Sequence, residues 1–66
     1  MKLKLNGTVS EFQDITTVAE LLESLNIEPL RVAVEVNLGI VKKPDYEKHI
    51  LKDGDLIEIV NFIGGG

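Results

Sequence analysis

Residues 52–63, KDGDLIEIVNFI, decide the fold of this chain. They begin with an Asp-Gly-Asp turn signal at 53–55, after which polar side chains occur only at Glu58 and Asn61. Because successive strand side chains point to opposite faces, this run carries apolar side chains on both of its faces. A nearly continuous apolar run of this kind is typical of a central strand. The stretch therefore predicts that the last strand lies in the middle of a sheet.

Three further segments carry the signals of strands. Residues 1–5, MKLKL, alternate apolar and polar side chains, and an Asn-Gly pair at 6–7 favours a type I′ turn into a second strand near 9–12. Residues 31–37, RVAVEVN, alternate again and predict a third strand. A short strand is expected at 40–41. The sequence thus predicts an N-terminal hairpin and further strands in the second half of the chain.

Residues 17–26, TVAELLESLN, change to the helical period. Thr17 and Glu20 have the spacing of a capping box, in which each side chain accepts a hydrogen bond from the backbone of the other residue. Asn26 is expected to end the helix, and Pro29 prevents its continuation. The apolar stripe predicted to face the sheet consists of Val18, Leu21, Leu22 and Leu25.

These elements predict a two-layer α+β domain in which one helix packs on a small mixed sheet. If the last strand is central and lies beside the first, the two run parallel, which is the β-grasp (ubiquitin-like) arrangement. We assign residues 1–63 to this β-grasp domain and residues 64–66 to a flexible C-terminal glycine tail. The segment before the last turn has no sustained period, so we expect it to be irregular, with one helical turn near a partly buried Tyr46.

Size and composition argue against several classes of function. A chain of 66 residues hides only roughly 60% of its unfolded surface, and a small-molecule pocket would compete with its thin core. We therefore expect no enzymatic activity, no catalytic residue and no bound cofactor. The absence of cysteine removes disulfides and cysteine-based metal sites, and the net charge of −4 argues against nucleic-acid binding. No apolar run approaches the roughly 20 residues of a membrane span, so we expect a cytoplasmic protein without membrane contact.

Residue types that could suggest a metal or catalytic site have simpler explanations here. Asp53 and Asp55 flank a glycine and are expected to support the turn. His49 has no nucleophile motif or metal-ligand partner beside it in the sequence, so a surface or edge position is expected. Lys42 and Lys43 are expected to lie in a solvated loop.

Three glycines, Gly64, Gly65 and Gly66, directly follow the apolar strand. Three extended residues span at most about 10 Å, and glycine lacks a Cβ, so this tail can enter a cleft too narrow for other residues. Ordering it costs roughly 3–6 kcal/mol, and the docking energy must come from elsewhere. Val60 and Phe62, on the strand face away from the helix, are predicted to form the docking surface for the partner protein that holds this cleft. A run of terminal glycines is by itself weak evidence, since many such ends have no function.

The segments TVAELLESL at 17–25, VAVEVNLGIV at 32–41 and KDGDLIEIVNFIGGG at 52–66 resemble the ubiquitin-like sulfur carriers of the ThiS/MoaD-like family, specifically the thiamine-biosynthesis type. The resemblance implies that Gly66 is adenylated by an E1-like partner that uses MgATP, with residues 64–66 inside that partner's active site. It implies that a persulfide donor such as a cysteine desulfurase then converts Gly66 to a thiocarboxylate. It also implies that the carrier gives this sulfur to thiazole synthase, which assembles the thiazole ring.

Other functions remain compatible with the sequence. A sulfur carrier for molybdopterin synthesis or tRNA thiolation would share the fold and the glycine end, although molybdopterin-type carriers are usually longer and have a different lead-in to Gly-Gly. A noncovalent β-grasp interaction module would use the same sheet face with an inert tail. Covalent conjugation, as in ubiquitin, would require isopeptide-linked targets.

Overall fold

The structure, a computed structural model, describes residues 1–62 of the chain. In chain order its elements are β1 (Lys2–Leu5), β2 (Thr8–Glu11), α1 (Val18–Ser24), a 3-10 helix (Pro29–Arg31), β3 (Val32–Val36), β4 (Gly39–Val41), a second 3-10 helix (Lys43–Asp45) and β5 (Leu56–Asn61). The predicted boundary between domain and tail, and the tail residues Gly64, Gly65 and Gly66 themselves, lie outside the described residues.

The five strands form one mixed sheet in the order β2-β1-β5-β3-β4. β5 lies in the middle, parallel to β1 on one side and antiparallel to β3 on the other. The outer pairs, β1 with β2 and β3 with β4, are antiparallel hairpins. This arrangement confirms the predicted α+β, β-grasp fold and the central position of the last strand.

Both hairpins turn through two residues with positive φ, as a type I′ turn requires. The predicted turn has φ angles of 47° at Asn6 and 87° at Gly7, and β2 begins slightly earlier than expected. The other turn has φ angles of 52° at Asn37 and 72° at Leu38. The sequence does not predict this second turn, because the left-handed conformation costs a residue such as leucine roughly 1–2 kcal/mol.

The helix α1 begins with the predicted capping box. The backbone N–H of Glu20 donates to Thr17 Oγ1 at 3.2 Å, and the N–H of Thr17 donates to Glu20 Oε1 at 3.2 Å. Ser24 is the last helical residue, and Asn26 adopts a φ of 58°, which stops the helix as predicted. α1 spans seven residues, and no helix within residues 1–62 has the length and apolar content needed to cross a membrane.

The apolar stripe of α1 packs against one face of the sheet and forms the core there. Its residue Leu25 is only partly buried, at the edge of this core. The side chains that are at most 1% exposed come from both layers and are Leu3, Val18, Leu21, Leu22, Val32, Val34 and Ile57. The described part of the chain contains one α-helix, α1, and it covers one face of the sheet. The other face is left open.

Tyr46 anchors the irregular segment between β4 and β5. It follows the second 3-10 helix, close to the predicted helical turn, and is only 4% exposed, which is deeper than the partial burial expected. Its hydroxyl donates to the carbonyl oxygen of Val32 at 3.2 Å, and Lys43 Nζ donates to the same oxygen at 3.0 Å. The start of β3 is therefore tied to this segment by two side chains.

Burial raises the pKa of the Tyr46 hydroxyl, and this predicts a loss of stability at alkaline pH. The unfolded chain loses the phenolic proton near pH 10 while the folded chain keeps it, so the free energy of unfolding falls as pH rises from about 10 toward the raised folded pKa. Tyr46→Phe should flatten this fall and cost about 1 kcal/mol at neutral pH. Urea unfolding of both proteins between pH 8 and 11 measures the difference, and parallel curves would contradict the prediction.

Candidate functional site

β5 has one covered and one solvent-facing side. Ile57 is fully buried under α1, whereas Val60 is 62% exposed and Phe62, just beyond the strand, is 51% exposed. The structure therefore places both predicted docking residues at the surface, at the end of the strand that leads toward Gly66. Their role in docking stays a prediction.

Val60 belongs to a continuous surface, which we call the open face, formed by Ala33, Glu35, Ile40, Glu58 and Val60. Cross-strand register places Val60 beside Ala33, and Glu35 lies between Glu58 and Ile40. Ile40 is 75% exposed. The two glutamates stand directly opposite each other, an arrangement that disfavours the isolated sheet. The open face thus combines exposed aliphatic side chains with adjacent carboxylates, and the exposed Lys4, in register with Leu56, borders it on the β1 side.

Phe62 is held at the end of β5 by two contacts. Its backbone N–H donates to the carbonyl oxygen of Arg31 at 2.8 Å, which continues the pairing with β3. The ammonium of Lys43 lies 4.9 Å from the centroid of its ring, a cation–π geometry worth about 0.5–1 kcal/mol at an exposed site. Lys43 was expected in a solvated loop, and the structure instead gives it the Val32 carbonyl and this aromatic ring as partners.

The Asp-Gly-Asp turn holds the start of β5 and confirms the structural role predicted for its aspartates. Asp53 Oδ1 accepts from the backbone N–H of Lys2 at 2.7 Å, and Asp55 Oδ2 accepts from the N–H of Lys52 at 2.8 Å. Gly54 has a φ of 89°, a conformation that glycine adopts without strain. Within residues 1–62, no group of three or more acidic or histidine side chains is placed to hold a metal ion.

Asn37, in the turn between β3 and β4, binds the first residue of β5. Its side-chain Oδ1 accepts from the N–H of Leu56 at 2.9 Å, and its own N–H donates to the Leu56 carbonyl oxygen at 2.7 Å. Its Nδ2 donates to Asp55 Oδ1 at 2.9 Å. Sequence reasoning assigned Asn37 only to the end of a strand, and it missed this long-range contact.

Asn6, in the turn between β1 and β2, binds β5 from the opposite flank. Its backbone N–H donates to the carbonyl oxygen of Ile57 at 2.9 Å. Its side chain contacts both polar groups of the next residue on the same edge: Oδ1 accepts from the N–H of Ile59 at 2.8 Å, and Nδ2 donates to the Ile59 carbonyl oxygen at 3.2 Å. The sequence signal for Asn6 was the turn alone, so this second role was also missed.

A shallow surface groove of about 560 Å³ lies on the helix side of the molecule. Ala19 of α1, Pro29 and the carboxylates of Glu23, Glu28 and Glu47 line it. None of the residues predicted for the functional site contributes to this groove. The groove and the open face are therefore separate surfaces.

Comparison with known proteins adds evidence that covers the whole chain. The model of the ThiS family matches residues 3–66. The sulfur carrier protein ThiS of Bacillus subtilis is 45% identical over 65 residues, which are 97% of this chain and 98% of that protein. A crystal structure of the thiamine biosynthesis protein ThiS from Geobacter metallireducens superposes with a TM-score of 0.85 at 33% identity and covers all of both chains.

A second group of relatives is much longer than this chain. A thiazole synthase of Paramagnetospirillum magneticum is 48% identical over 66 residues, and one of Magnetococcus marinus is 42% identical over the same length. The match covers 100% of this chain and 20% of each of those proteins. The chain therefore spans about a fifth of the length of these relatives.

Truncation of side chains on the two sides of β5 should change the free energy of unfolding by different amounts. Ile57→Ala removes a fully buried side chain from the middle of the sheet and should lower the free energy of unfolding by about 2–5 kcal/mol. Val60→Ala, in the same strand but on the open face, should change it by less than about 1 kcal/mol. Equilibrium urea unfolding measures both values. Equal losses would show that the open face contributes to the stability of the isolated chain.

Proposed function

The chain belongs to the ThiS family, and we propose that it is a sulfur carrier protein of thiamine biosynthesis, with Gly66 as the group that carries the sulfur. The observation that carries this proposal is the family match, which runs from Leu3 through the β-grasp domain to Gly66. On this proposal the chain is a protein cosubstrate. Other enzymes modify it, and it has no active site of its own.

The chemistry of a carboxylate explains why activation must come first. Attack on a free carboxylate adds charge to a group that is already anionic, so Gly66 in that form is a poor electrophile. When a carboxylate oxygen of Gly66 attacks the α-phosphorus of ATP, pyrophosphate leaves and an acyl-adenylate forms, in which the acyl group itself carries no charge. The adenylate removes the charge at the carboxyl carbon and provides AMP as a leaving group.

Sulfur then replaces AMP at Gly66. The outer sulfur of a persulfide attacks the carbonyl carbon, AMP leaves, and an acyl persulfide forms. A thiol cleaves its sulfur–sulfur bond, so that Gly66 retains one sulfur as C(O)S⁻ and a disulfide forms from the two remaining sulfur atoms. On this proposal the adenylating enzyme binds the MgATP, a persulfide donor such as a cysteine desulfurase supplies the sulfur, and the carrier needs no cofactor.

Docking on the adenylating enzyme is assigned to the end of β5. Ordering residues 64–66 in a narrow cleft costs roughly 3–6 kcal/mol of conformational free energy. The tail has no side chains whose contacts could offset this cost. Val60 and Phe62 supply exposed apolar surface next to the tail. The facing carboxylates of Glu35 and Glu58 would lose their mutual repulsion beside a basic partner side chain.

We assign thiazole synthase as the recipient of the sulfur. In two relatives the matched region is a fifth of a protein named thiazole synthase, which supports a working relation between the two activities. Linking a carrier to its acceptor raises the effective concentration of one toward the other. A thiocarboxylate suits this transfer because its sulfur is nucleophilic. Once that sulfur has bonded to a carbon of the acceptor, attack of water on the acyl carbon breaks the thioester, leaves the sulfur on the acceptor and returns Gly66 as a carboxylate.

Gly66 should acquire sulfur, and its removal should abolish the reaction. The test is the intact mass of the chain after incubation with a thiamine-pathway adenylating enzyme, MgATP, a persulfide source and a thiol. We expect the mass increase for exchange of one oxygen for sulfur, and no such increase when ATP is omitted or Gly66 is deleted. The deletion should leave the circular dichroism spectrum unchanged.

An unshifted wild-type mass, with the enzymes active on another carrier, would overturn the thiamine assignment. The same assay with enzymes of molybdopterin synthesis or tRNA thiolation would then test those pathways. The exposed aliphatic side chains of the open face favour one further candidate, a noncovalent interaction module. That function would be supported if the adenylating enzyme bound the wild-type chain and the Gly66 deletion equally well and modified neither.

Phe62→Asp should weaken binding to the adenylating enzyme about tenfold or more, because aromatic anchors at interfaces typically contribute above 1 kcal/mol. Its effect on stability should stay near 1 kcal/mol, since the ring is half exposed and an aspartate can pair with Lys43. Ile50→Asp is the matched control, because Ile50 is 53% exposed and lies beside Thr17, away from the open face. Calorimetric titration measures the affinities; equal weakening by both variants would remove Phe62 from the interface.

A further inference from the structure

The geometry points to a second role for Asn6: we propose that its side chain is a positioning element that fixes the end of β5, and with it the docking residues Val60 and Phe62, for the reaction at Gly66. This inference rests on the proposed function, because it assigns Asn6 an effect on the sulfur-transfer reaction at Gly66. It concerns a residue that is not part of the open face. Asn6 would act through the backbone of β5.

The side chain of Asn6 takes the place of a missing strand residue. The parallel ladder between β1 and β5 consists of the pairs Lys4 with Leu56 and Leu5 with Ile57, and then β1 turns away. The next residue on that edge of β5 is Ile59, and the carboxamide of Asn6 binds both its N–H and its carbonyl oxygen. One amide side chain therefore satisfies both backbone groups of Ile59, which a continuing parallel strand would pair through two of its residues.

The second half of β5 depends on this contact for support from the β1 side. β3 pairs with β5 as far as Asn61, whereas β1 reaches only Ile57. Without the Asn6 side chain, the Ile59 N–H and carbonyl oxygen would bond to water, and the strand from there to Phe62 would be held from one side. Since exposed hydrogen bonds contribute only about 0.5–1.5 kcal/mol each, the loss would loosen the strand end and leave the fold intact.

The contact requires asparagine in particular. At a φ of 47°, Asn6 occupies a left-handed conformation that asparagine tolerates better than most residues. Its carboxamide offers one acceptor and one donor group side by side. Aspartate could accept from Ile59 N–H but could not donate to the carbonyl oxygen, and its charge would face that oxygen. Alanine would make neither bond.

Greater mobility of the strand at Ile59 would slow the reaction at Gly66, because the docking residues Val60 and Phe62 follow Ile59 directly in the chain. Val60 and Phe62 meet the partner while Gly66 is placed against ATP, so the end of β5 sets the distance between the anchoring surface and the reacting carboxylate. A displacement near 1 Å at a reacting group can cost about 10²-fold in rate. Asn6 thus fixes the position of the end of β5 before the partner binds.

Asn37 provides a matched control in the same chain. It also lies at a positive φ in a hairpin turn, and its Oδ1 also accepts from a β5 backbone N–H, that of Leu56. That contact lies at the start of β5, at the opposite end from Val60 and Phe62. The two asparagines therefore hold opposite ends of the strand, each from a different edge.

The test compares Asn6→Ala, Asn6→Asp and Asn37→Ala in amide hydrogen exchange and in ATP-dependent thiocarboxylation. Asn6→Ala should speed exchange at Ile59 about tenfold or more and leave Leu56 protected, and Asn37→Ala should do the reverse. At equal folded concentration, Asn6→Ala should lower kcat/KM about tenfold. Asn6→Asp should lower kcat/KM less, because one hydrogen bond survives. Asn37→Ala should leave kcat/KM unchanged.

Two results would overturn the inference: unchanged exchange at Ile59 in Asn6→Ala, or equal losses of kcat/KM in Asn6→Ala and Asn37→Ala, which would make Asn6 merely structural. A wild-type chain that acquires no sulfur would instead overturn the proposed function. In that case the exchange data still decide whether Asn6 holds β5, because they require no partner enzyme.

Discussion

The parallel pairing of β1 with β5 is the contact on which the rest of the molecule depends. It places the last strand between the two hairpins, and it does so with only two residue pairs, Lys4 with Leu56 and Leu5 with Ile57. Side chains from both turns lengthen this support, Asn6 at Ile59 and Asn37 at Leu56. With these side-chain hydrogen bonds, a short parallel ladder is sufficient to hold the central strand in place.

The alternation of side chains along β5 separates stability from recognition. Ile57 faces α1 in the core, while Glu58 and Val60 lie on the open face. Because these two sets of side chains are on opposite sides of one strand, changes on the open face leave the core packing untouched. The strand that completes the fold is also the last strand before Gly66 in the sequence.

Local patterns in the sequence were sufficient for the five strands, for α1 and for the position of the last strand, but not for the 3-10 helix at Pro29–Arg31. The Thr17–Glu20 capping box, the Asn6-Gly7 turn and the apolar run of β5 each depend on residues close together in the chain, and the structure contains all three. Contacts that form only after the sheet assembles were missed. The Asn6 carboxamide meets Ile59 across 53 positions of sequence, and no local pattern encodes that register.

Other differences have equally specific causes. The turn at Leu38 escaped prediction because leucine rarely adopts positive φ, and the Lys43–Phe62 contact requires knowing that the segment after β4 returns to the end of β5. For the candidate site, the sequence predicted the exposure of Val60 and Phe62 correctly, whereas the role proposed for Gly66 rests on the family relation.

The central place of β5 also governs the order in which the chain can fold. The hairpins β1–β2 and β3–β4 close short loops and can form within microseconds, as can α1. They occupy opposite sides of the sheet, and β5 is the strand between them, so neither hairpin gains its neighbour until β5 arrives. Bringing β5 beside β1 closes a loop of most of the chain, and such nonlocal pairing slows folding. We therefore expect the rate-limiting step to be the insertion of one strand into a gap between two preformed halves.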